Sequence, residues 1–499
     1  MDLLFQGLLN VFEPQVIILL IAGVMVGIII GALPGLTATM GVALFLPVTF
    51  GMEAITGILL LIGVYFGSIY GGSIAAILLN TPGTPASAAT ALDGHQLTIQ
   101  GKAGKALGIA AIASAVGGLI SIILLILIAP QLAEVALNFS APEMFGLALF
   151  GLSIISSISG GSVIKGLIAG MVGLVISTIG MDPMTSYPRF TFDQLSLLNG
   201  FSFIPVMIGL FAVSEAFVMM EEEMGEGQSM KKIVASYVLP KWKELKLLWV
   251  SMFRSGFIGT FIGIIPGAGA DIAAFVAYNE AQRFAKKEEK ELFGKGNPKG
   301  VASAEAANNG VTGGAMVPLL TLGIPGDAVA AVLLGALVVQ GIQPGPQLFT
   351  TSADLVYTLF AGMIVANILM LVFGLSGIRL FTKILKVPRN ILAGIIVVLS
   401  VVGAYAIGNN FFDVFTMLGA GIIGYFMKKF GFPASPVVLA LILGPMAESE
   451  MRRALVMSEG SYDIFLTRPI SLVLIVLSVL SLLLPLLLNK LKQRKAVEK

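Results

Sequence analysis

The chain has 499 residues, 57% of them hydrophobic and 12% charged, with a mean hydropathy of +0.96; soluble domains carry about 25% charged residues, so a soluble globular protein is excluded. Thirty Lys and Arg against 28 Asp and Glu leave a net charge of +2, too small an excess to track a nucleic-acid backbone. Cysteine is absent and histidine occurs once, as His95, which removes disulfides, thiol nucleophiles and zinc sites built from Cys and His.

Apolar stretches long enough to cross a bilayer recur from Val16 onward, and their spacing predicts about ten to twelve membrane-embedded segments. The first, Val16 to Ala32, lacks the basic leader and cleavage site of a signal peptide and reads as a membrane helix. Pro34-Gly35 follows it, with Thr37 and Thr39 just beyond. A Pro-Gly pair removes a backbone donor and interrupts the helical ladder; the freed polar groups survive at membrane depth only where protein or a watery cavity satisfies them. A second break stands at Asn80-Thr81-Pro82-Gly83-Thr84-Pro85, with Ser87, and His95 beside Asp93, Lys102 and Lys105 reads as a surface residue.

Charges then crowd from Glu221 to Lys246 together with Trp242 and Trp249, side chains suited to a membrane surface. This is the expected linker, 221–247, between a first transmembrane repeat at 1–220 and a second at 248–499. The second half carries a third break at Pro266-Gly267-Ala268-Gly269 with Asp271, and then a basic run from Lys286 to Lys299. The fourth runs from Asn308-Asn309 through Thr312-Gly313-Gly314 and Thr321 to Ile324-Pro325-Gly326 and Asp327. Gln343-Pro344-Gly345-Pro346 reads as a turn between helices, and Glu448, Glu450, Arg452 and Arg453 as a salt-bridge cluster at a helix end. Basic runs at Arg379 to Arg389 and Lys490 to Lys499 place the C-terminus in the cytoplasm, and the lack of Lys or Arg up to Gln15 places the N-terminus outside.

The two halves echo each other. Gly31-Ala32-Leu33-Pro34-Gly35 matches Gly263-Ile264-Ile265-Pro266-Gly267, and Gly71-Gly72 with Thr81-Pro82-Gly83 matches Gly313-Gly314 with Ile324-Pro325-Gly326. The basic run of the second half has no counterpart in the first, which opposite orientations would produce. The expected fold class is therefore an all-α polytopic membrane protein of two inverted repeats with re-entrant or broken helices, elevator-like in its movement.

Secondary transporters aim half-helix N-termini at anionic substrates and wrap unwound carbonyls around coupling cations. None of the four breaks contains Lys or Arg, so an anion there would be held by backbone N–H groups, hydroxyl and amide donors, and cations bound beside it. On this basis Pro34, Gly35, Thr37, Thr39, Asn80, Thr81, Pro82, Gly83, Thr84, Pro266, Gly267, Asn309, Pro325 and Gly326 are the substrate candidates. Gly269, Asp271, Asn308, Thr312 and Asp327 are the cation candidates, although both aspartates equally suit helix N-caps. The coupling ion would be Na⁺ or H⁺; no Walker-type phosphate loop occurs, and no other cofactor is expected.

The chain resembles the large membrane subunit of the tripartite tricarboxylate transporter family. The resemblance runs over nearly the whole length and rests on Gly31 to Gly51, Tyr70 to Thr84, Gly263 to Asp271 and Ala304 to Asp327. It implies a bacterial inner-membrane permease, not an enzyme, driven by an ion gradient. It also implies a smaller membrane subunit of about four helices, a periplasmic binding protein and a tricarboxylate or related organic acid, with a homodimer left open. Two other readings stand beside it: an intramembrane hydrolase using Asp271 and Asp327 as an acid/base pair, and a passive anion channel.

Overall fold

The computed structural model describes residues 2–33, 35–153, 162–182, 184–223, 239–267, 269–377 and 389–482. Pro34, Ala268, most of the charged linker (224–238), the basic run at 378–388 and the basic tail lie outside the described residues. Among those described, seven helices are long and apolar enough to cross a membrane, and shorter apolar helices stand between them. The protein is polytopic and all-α, as expected from the sequence.

The first half comprises α1 (Asp2–Val11), α2 (Pro14–Ala32), α3 (Ala38–Phe45, continued by a 3-10 turn at Leu46–Thr49), α4 (Ala54–Leu79), α5 (Ser87–Ile99) and α6 (Ala103–Ala136). Next come α7 (Ala141–Ser153), α8 (Val163–Ser177), a hairpin of β1 (Gly180–Met181) and β2 (Pro188–Arg189), α9 (Phe203–Ile208) and α10 (Ser214–Glu223). The second half holds α11 (Trp242–Ile264), α12 (Gly269–Arg283), α13 (Lys287–Lys290), α14 (Pro298–Leu322), α15 (Ala328–Val339), α16 (Leu348–Thr351) and α17 (Ala353–Ser376). It ends with α18 (Arg389–Gly408), α19 (Phe411–Lys429), α20 (Ser435–Met457) and α21 (Ile464–Thr467). The chain divides into two compact units, Met1–Ala133 with Glu215–Gly403 and Glu134–Ser214 with Ala404–Lys499, so each draws on both halves of the sequence.

The first unit is organised by glycine. A Cβ at Gly23, Gly27 or Gly31 of α2 would lie 2.3, 2.4 or 2.2 Å from the carbonyl oxygens of Leu60, Val64 and Ser68 of α4. In return a Cβ at Gly67 or Gly71 of α4 would lie 2.3 or 2.5 Å from the carbonyl oxygens of Val24 and Ile28. Small residues let backbones approach this closely, as membrane helices without a hydrophobic drive between them require. Both series ascend together, so α2 and α4 run parallel. The second half repeats the arrangement: a Cβ at Gly259 of α11 would lie 2.1 Å from the Ala307 carbonyl oxygen, and one at Gly310 or Gly314 of α14 would lie 2.7 or 2.4 Å from those of Gly256 and Thr260. These contacts equal those of Gly27, Gly67 and Gly71 when the first helix is moved by 232 positions and the second by 243.

Burial sets the roles of the paired helices. Every residue from Thr56 to Leu78 of α4 and from Gly300 to Thr321 of α14 is buried. Helix α14 begins at Asn297, whose side chain accepts from Lys299 N, with Pro298 in the first turn, and ends at Gly323 in the left-handed region; this is the usual Asn-Pro start and glycine stop of a helix. The short α1 docks on α17, where Gly7 lies against the Tyr357 carbonyl and Asn10 Nδ2 donates to Thr358 Oγ1 at 3.1 Å.

In the second unit the hairpin is clamped to α20. Arg189 of β2 forks onto the Glu448 carboxylate at 2.6 and 3.2 Å, and Arg452 reaches Asp182 at 2.6 Å. Asp182 Oδ1 also accepts from Met184 N and Thr185 N, both at 2.9 Å. The Thr185 and Met184 N–H groups and the Arg452 guanidinium hold this carboxyl well below the usual carboxylate range. The salt-bridge cluster expected at Glu448 to Arg453 therefore exists and takes two further members, Asp182 and Arg189, from the hairpin.

Candidate functional site

Each half folds its two breaks together. In the first, α2 ends at Leu33, Gly35 adopts φ +94° and Thr37 caps α3, its Oγ1 accepting from Met40 N at 3.3 Å. Helix α4 ends at Asn80 in the left-handed region, and Gly83 N then donates back to the Gly72 carbonyl at 3.2 Å. Gly83 has to be glycine, because a Cβ there would sit 2.2 Å from the Gly31 carbonyl at the end of α2. In the second half Gly267 (φ +81°) and Gly269 (φ +69°) turn the chain, and Gly267 N donates to the Gly326 carbonyl at 2.8 Å. Gly326 in turn lies against the Gly263 carbonyl, the counterpart of the Gly83 to Gly31 contact.

The helices that follow the breaks cross between halves. Helix α3 packs against α15, with Gln340 Nε2 donating to the Thr49 carbonyl at 2.9 Å, and α5 packs against α12. Ala89, Ala274 and Ala304 of α5, α12 and α14 form one small cluster. Four short helices thus start at the breaks with their N-terminal N–H groups free of intrahelical partners, around the two buried helices α4 and α14.

Asp327 caps α15: Oδ1 accepts from Ala330 N at 2.7 Å and Oδ2 from the hydroxyl of Tyr65 of α4 at 3.1 Å. The corresponding residues 243 positions away are Thr84 and Asn308. There the polar atoms are unpartnered: Thr84 Oγ1 and both amide atoms of Asn308 are buried without a hydrogen bond, as is Asn309 Oδ1. Asn308 lies one turn beyond Ala304 on the same face of α14, the face that meets α5 and α12. Buried polar groups are normally paired, so these idle donors and acceptors are the candidates for contact with a polar ligand.

Of the other expected residues, Thr312 donates to the Asn309 carbonyl at 2.6 Å and Asn309 Nδ2 to that of Glu305 at 3.2 Å. Asp271 lies exposed in the first turn of α12, its carboxylate folded toward Gly269. Thr39, Thr81, Pro82, Pro266 and Pro325 lie in or beside the same breaks, and Pro34 is outside the described residues. Among the described residues no hydrogen bond joins Asp271 to Asp327. His95 is half-buried with Nδ1 3.2 Å from the Ile77 carbonyl, less of a surface residue than its neighbours suggested.

One group escaped the sequence altogether. Glu305 of α14 is fully buried, and its carboxylate accepts from Ser73 of α4 at 2.5 Å, from Ser114 of α6 at 2.9 Å and from Thr90 of α5. No Lys or Arg occurs from residue 1 to 101, 255 to 282 or 300 to 378. The only signal available was a lone carboxylate inside Ala304-Glu305-Ala306-Ala307.

A sequence model described as the tripartite tricarboxylate transporter TctA family matches residues 17–439. An Agrobacterium vitis protein described as an uncharacterized 52.8 kDa protein in the TAR-I ttuC' 3' region is 37% identical over 465 residues, 93% of this chain and 92% of the relative. A second from the same organism, described by the TAR-II ttuC' 3' region, is 37% identical over 229 residues, 46% of this chain and 94% of the relative. No solved structure matches. With both the family model and a full-length relative spanning the breaks, the chain belongs to the tripartite tricarboxylate transporter TctA family, a family of transporters.

Proposed function

We propose that this permease carries out ion-coupled uptake of a tricarboxylate or related organic acid across a bacterial inner membrane. It does so with a small membrane subunit and a periplasmic binding protein that delivers the acid. The substrate carboxylates meet the N-termini of α5 and α12, the Thr84 hydroxyl and the Asn308 and Asn309 amides. The coupling cation sits beside them, near Asp271 and Asp327, because no basic side chain in these stretches offsets the anion. The C-terminus faces the cytoplasm and the N-terminus the periplasm.

The observation that carries this is the unpartnered, buried Asn308 amide and Thr84 hydroxyl at positions whose counterparts, Tyr65 and Asp327, are bonded to each other. Matched contacts along α2–α4 and α11–α14 support alternating access by two related halves. The hydrolase reading loses support because Asp327 spends both oxygens on Ala330 N and Tyr65.

The test is uptake of labelled citrate into proteoliposomes holding the chain with its small subunit and binding protein, under imposed Na⁺ or H⁺ gradients. Accumulation driven by one gradient and dependent on the binding protein is expected. Uptake indifferent to both gradients overturns symport, and flux without accumulation assigns a channel instead.

A further inference from the structure

Four helices converge on a single carboxyl that the substrate site does not use. Ser73, Thr90 and Ser114 all direct hydroxyls at Glu305, and no Lys or Arg of the described residues pairs with it. A buried charge without a counter-ion is costly, and hydroxyls are unusual partners to choose if permanent neutralisation were the purpose. What hydroxyls offer is reversibility: each donates or accepts according to its rotation. Facing an ionised Glu305, all three donate. Facing the acid, one accepts the carboxyl O–H and turns its own hydrogen to a carbonyl one turn back in its helix, as Ser and Thr readily do.

The spacing fits a proton better than a metal ion. Ser73 and Ser114 stand 2.5 and 2.9 Å from the carboxylate oxygens, whereas a cation about 2.4 Å from each oxygen holds its ligands further apart. The cluster also adjoins the breaks. Ser73 follows Gly72, whose backbone takes the Gly83 bond and touches Thr84, and Thr90 lies one turn from Ser87 on α5. An anion at the breaks disfavours the ionised form of a carboxyl so close to it, and by linkage the protonated form favours the anion.

We propose that Glu305 is a proton-binding site of the transport cycle, taking up one proton from water as the organic anion binds at the breaks and returning it to water when the anion leaves. The only bond made and broken is the carboxyl O–H. This rests on the transport reading. The other ionisable groups of the surrounding helices have partners or lie away from the cluster. Tyr70 of α4 donates to the Gly374 carbonyl, and Asp93 of α5 accepts from Tyr278 of α12 and from Gly296 N and Asn297 N. Lys105 of α6 pairs with Glu244 and Arg254 of α11 with Glu280, while Asp271 of α12 is exposed.

Two measurements test it in proteoliposomes, the infrared one on the full chain and the transport one with its small subunit and binding protein present. Infrared difference spectra between acid and alkaline pH should contain a protonated-carboxyl band that Glu305→Gln lacks. In Ser114→Ala, which removes one donor to the ionised form, the midpoint of that band should move up by about one pH unit. A band unchanged in Glu305→Gln, or an unmoved midpoint in Ser114→Ala, overturns the proposal. With labelled citrate, Glu305→Gln should keep exchange at equal concentrations within about twofold but lose pH-gradient-driven accumulation by about tenfold. Accumulation of wild-type size and pH dependence overturns the proposal as well. If the wild type moves neither citrate nor a related organic acid, the proposed function fails while the infrared result still decides Glu305.

Discussion

At Asp327 one carboxylate oxygen caps α15 and the other takes the Tyr65 hydroxyl, so structural and ionic roles can be separated by substitution. Asn caps as well as Asp does, whereas Ala costs about 1 kcal/mol. Asp327→Asn should therefore melt within a few degrees of the wild type in detergent, and Asp327→Ala clearly below it. Loss of gradient dependence in the well-folded Asn variant would assign the cation role to the charge. Asp271→Asn, at an exposed first-turn position, should leave thermal stability unchanged and weaken cation dependence; unaltered dependence would leave Asp271 a helix-terminus residue only. Glycine is equally testable. Gly259→Val drives a side chain into the Ala307 carbonyl and should cost about 3 kcal/mol of stability. Gly394→Ala, with open space around it, should be neutral or slightly stabilising in the same thermal measurement. The breaks at Pro and Gly were legible because their backbone consequences are local. Glu305 was not, because its meaning depends on Ser73, Thr90 and Ser114, three hydroxyls brought together from distant helices.

Among elements, the hairpin and α20 make the clearest case for pH dependence. Asp182 is held low by backbone N–H groups and Arg452, so its contribution is present above the ordinary carboxylate range, near pH 4, and disappears as acid protonates it. Thermal stability should fall as the pH drops below about 4, and Asp182→Asn should lower stability at neutral pH and flatten that decline. A decline of equal slope in the variant would remove Asp182 from the account. The sequence showed Glu448 to Arg453 as a charged helix end, yet the partners Asp182 and Arg189 stand more than 250 residues away and no local pattern announces them. The docking of α1 on α17 was hidden in the same way: a Gly and an Asn in a short amphipathic stretch say nothing of Tyr357 and Thr358.

Over the whole molecule, burial and hydropathy part company at α14. Its Glu, Asn and Thr residues keep it out of the set of helices apolar enough to span a membrane, yet it is buried from Gly300 to Thr321. Lipid need not solvate a helix that protein surrounds completely. Hydrogen exchange should accordingly be slowest in peptides from 56–78 and 300–321 and faster in 2–11; rapid exchange in 300–321 would contradict the burial. The membrane class and the paired breaks were legible because hydropathy and Pro-Gly motifs are properties of the chain itself. The identity of the innermost helices was not, since it depends on what packs around them.

The glycine seams also set limits on genetic repair. A clash between two side chains can be relieved by shortening either one, so suppressor mutations commonly arise at the facing position. At Gly31 and Gly259 the obstacle is a carbonyl oxygen, of Ser68 and Ala307 respectively, and every amino acid carries that atom. A bulky replacement on either seam should therefore have no revertant at the residue opposite, and a selection for restored transport should return only true reversions to glycine or changes elsewhere that tolerate a wider helix pair.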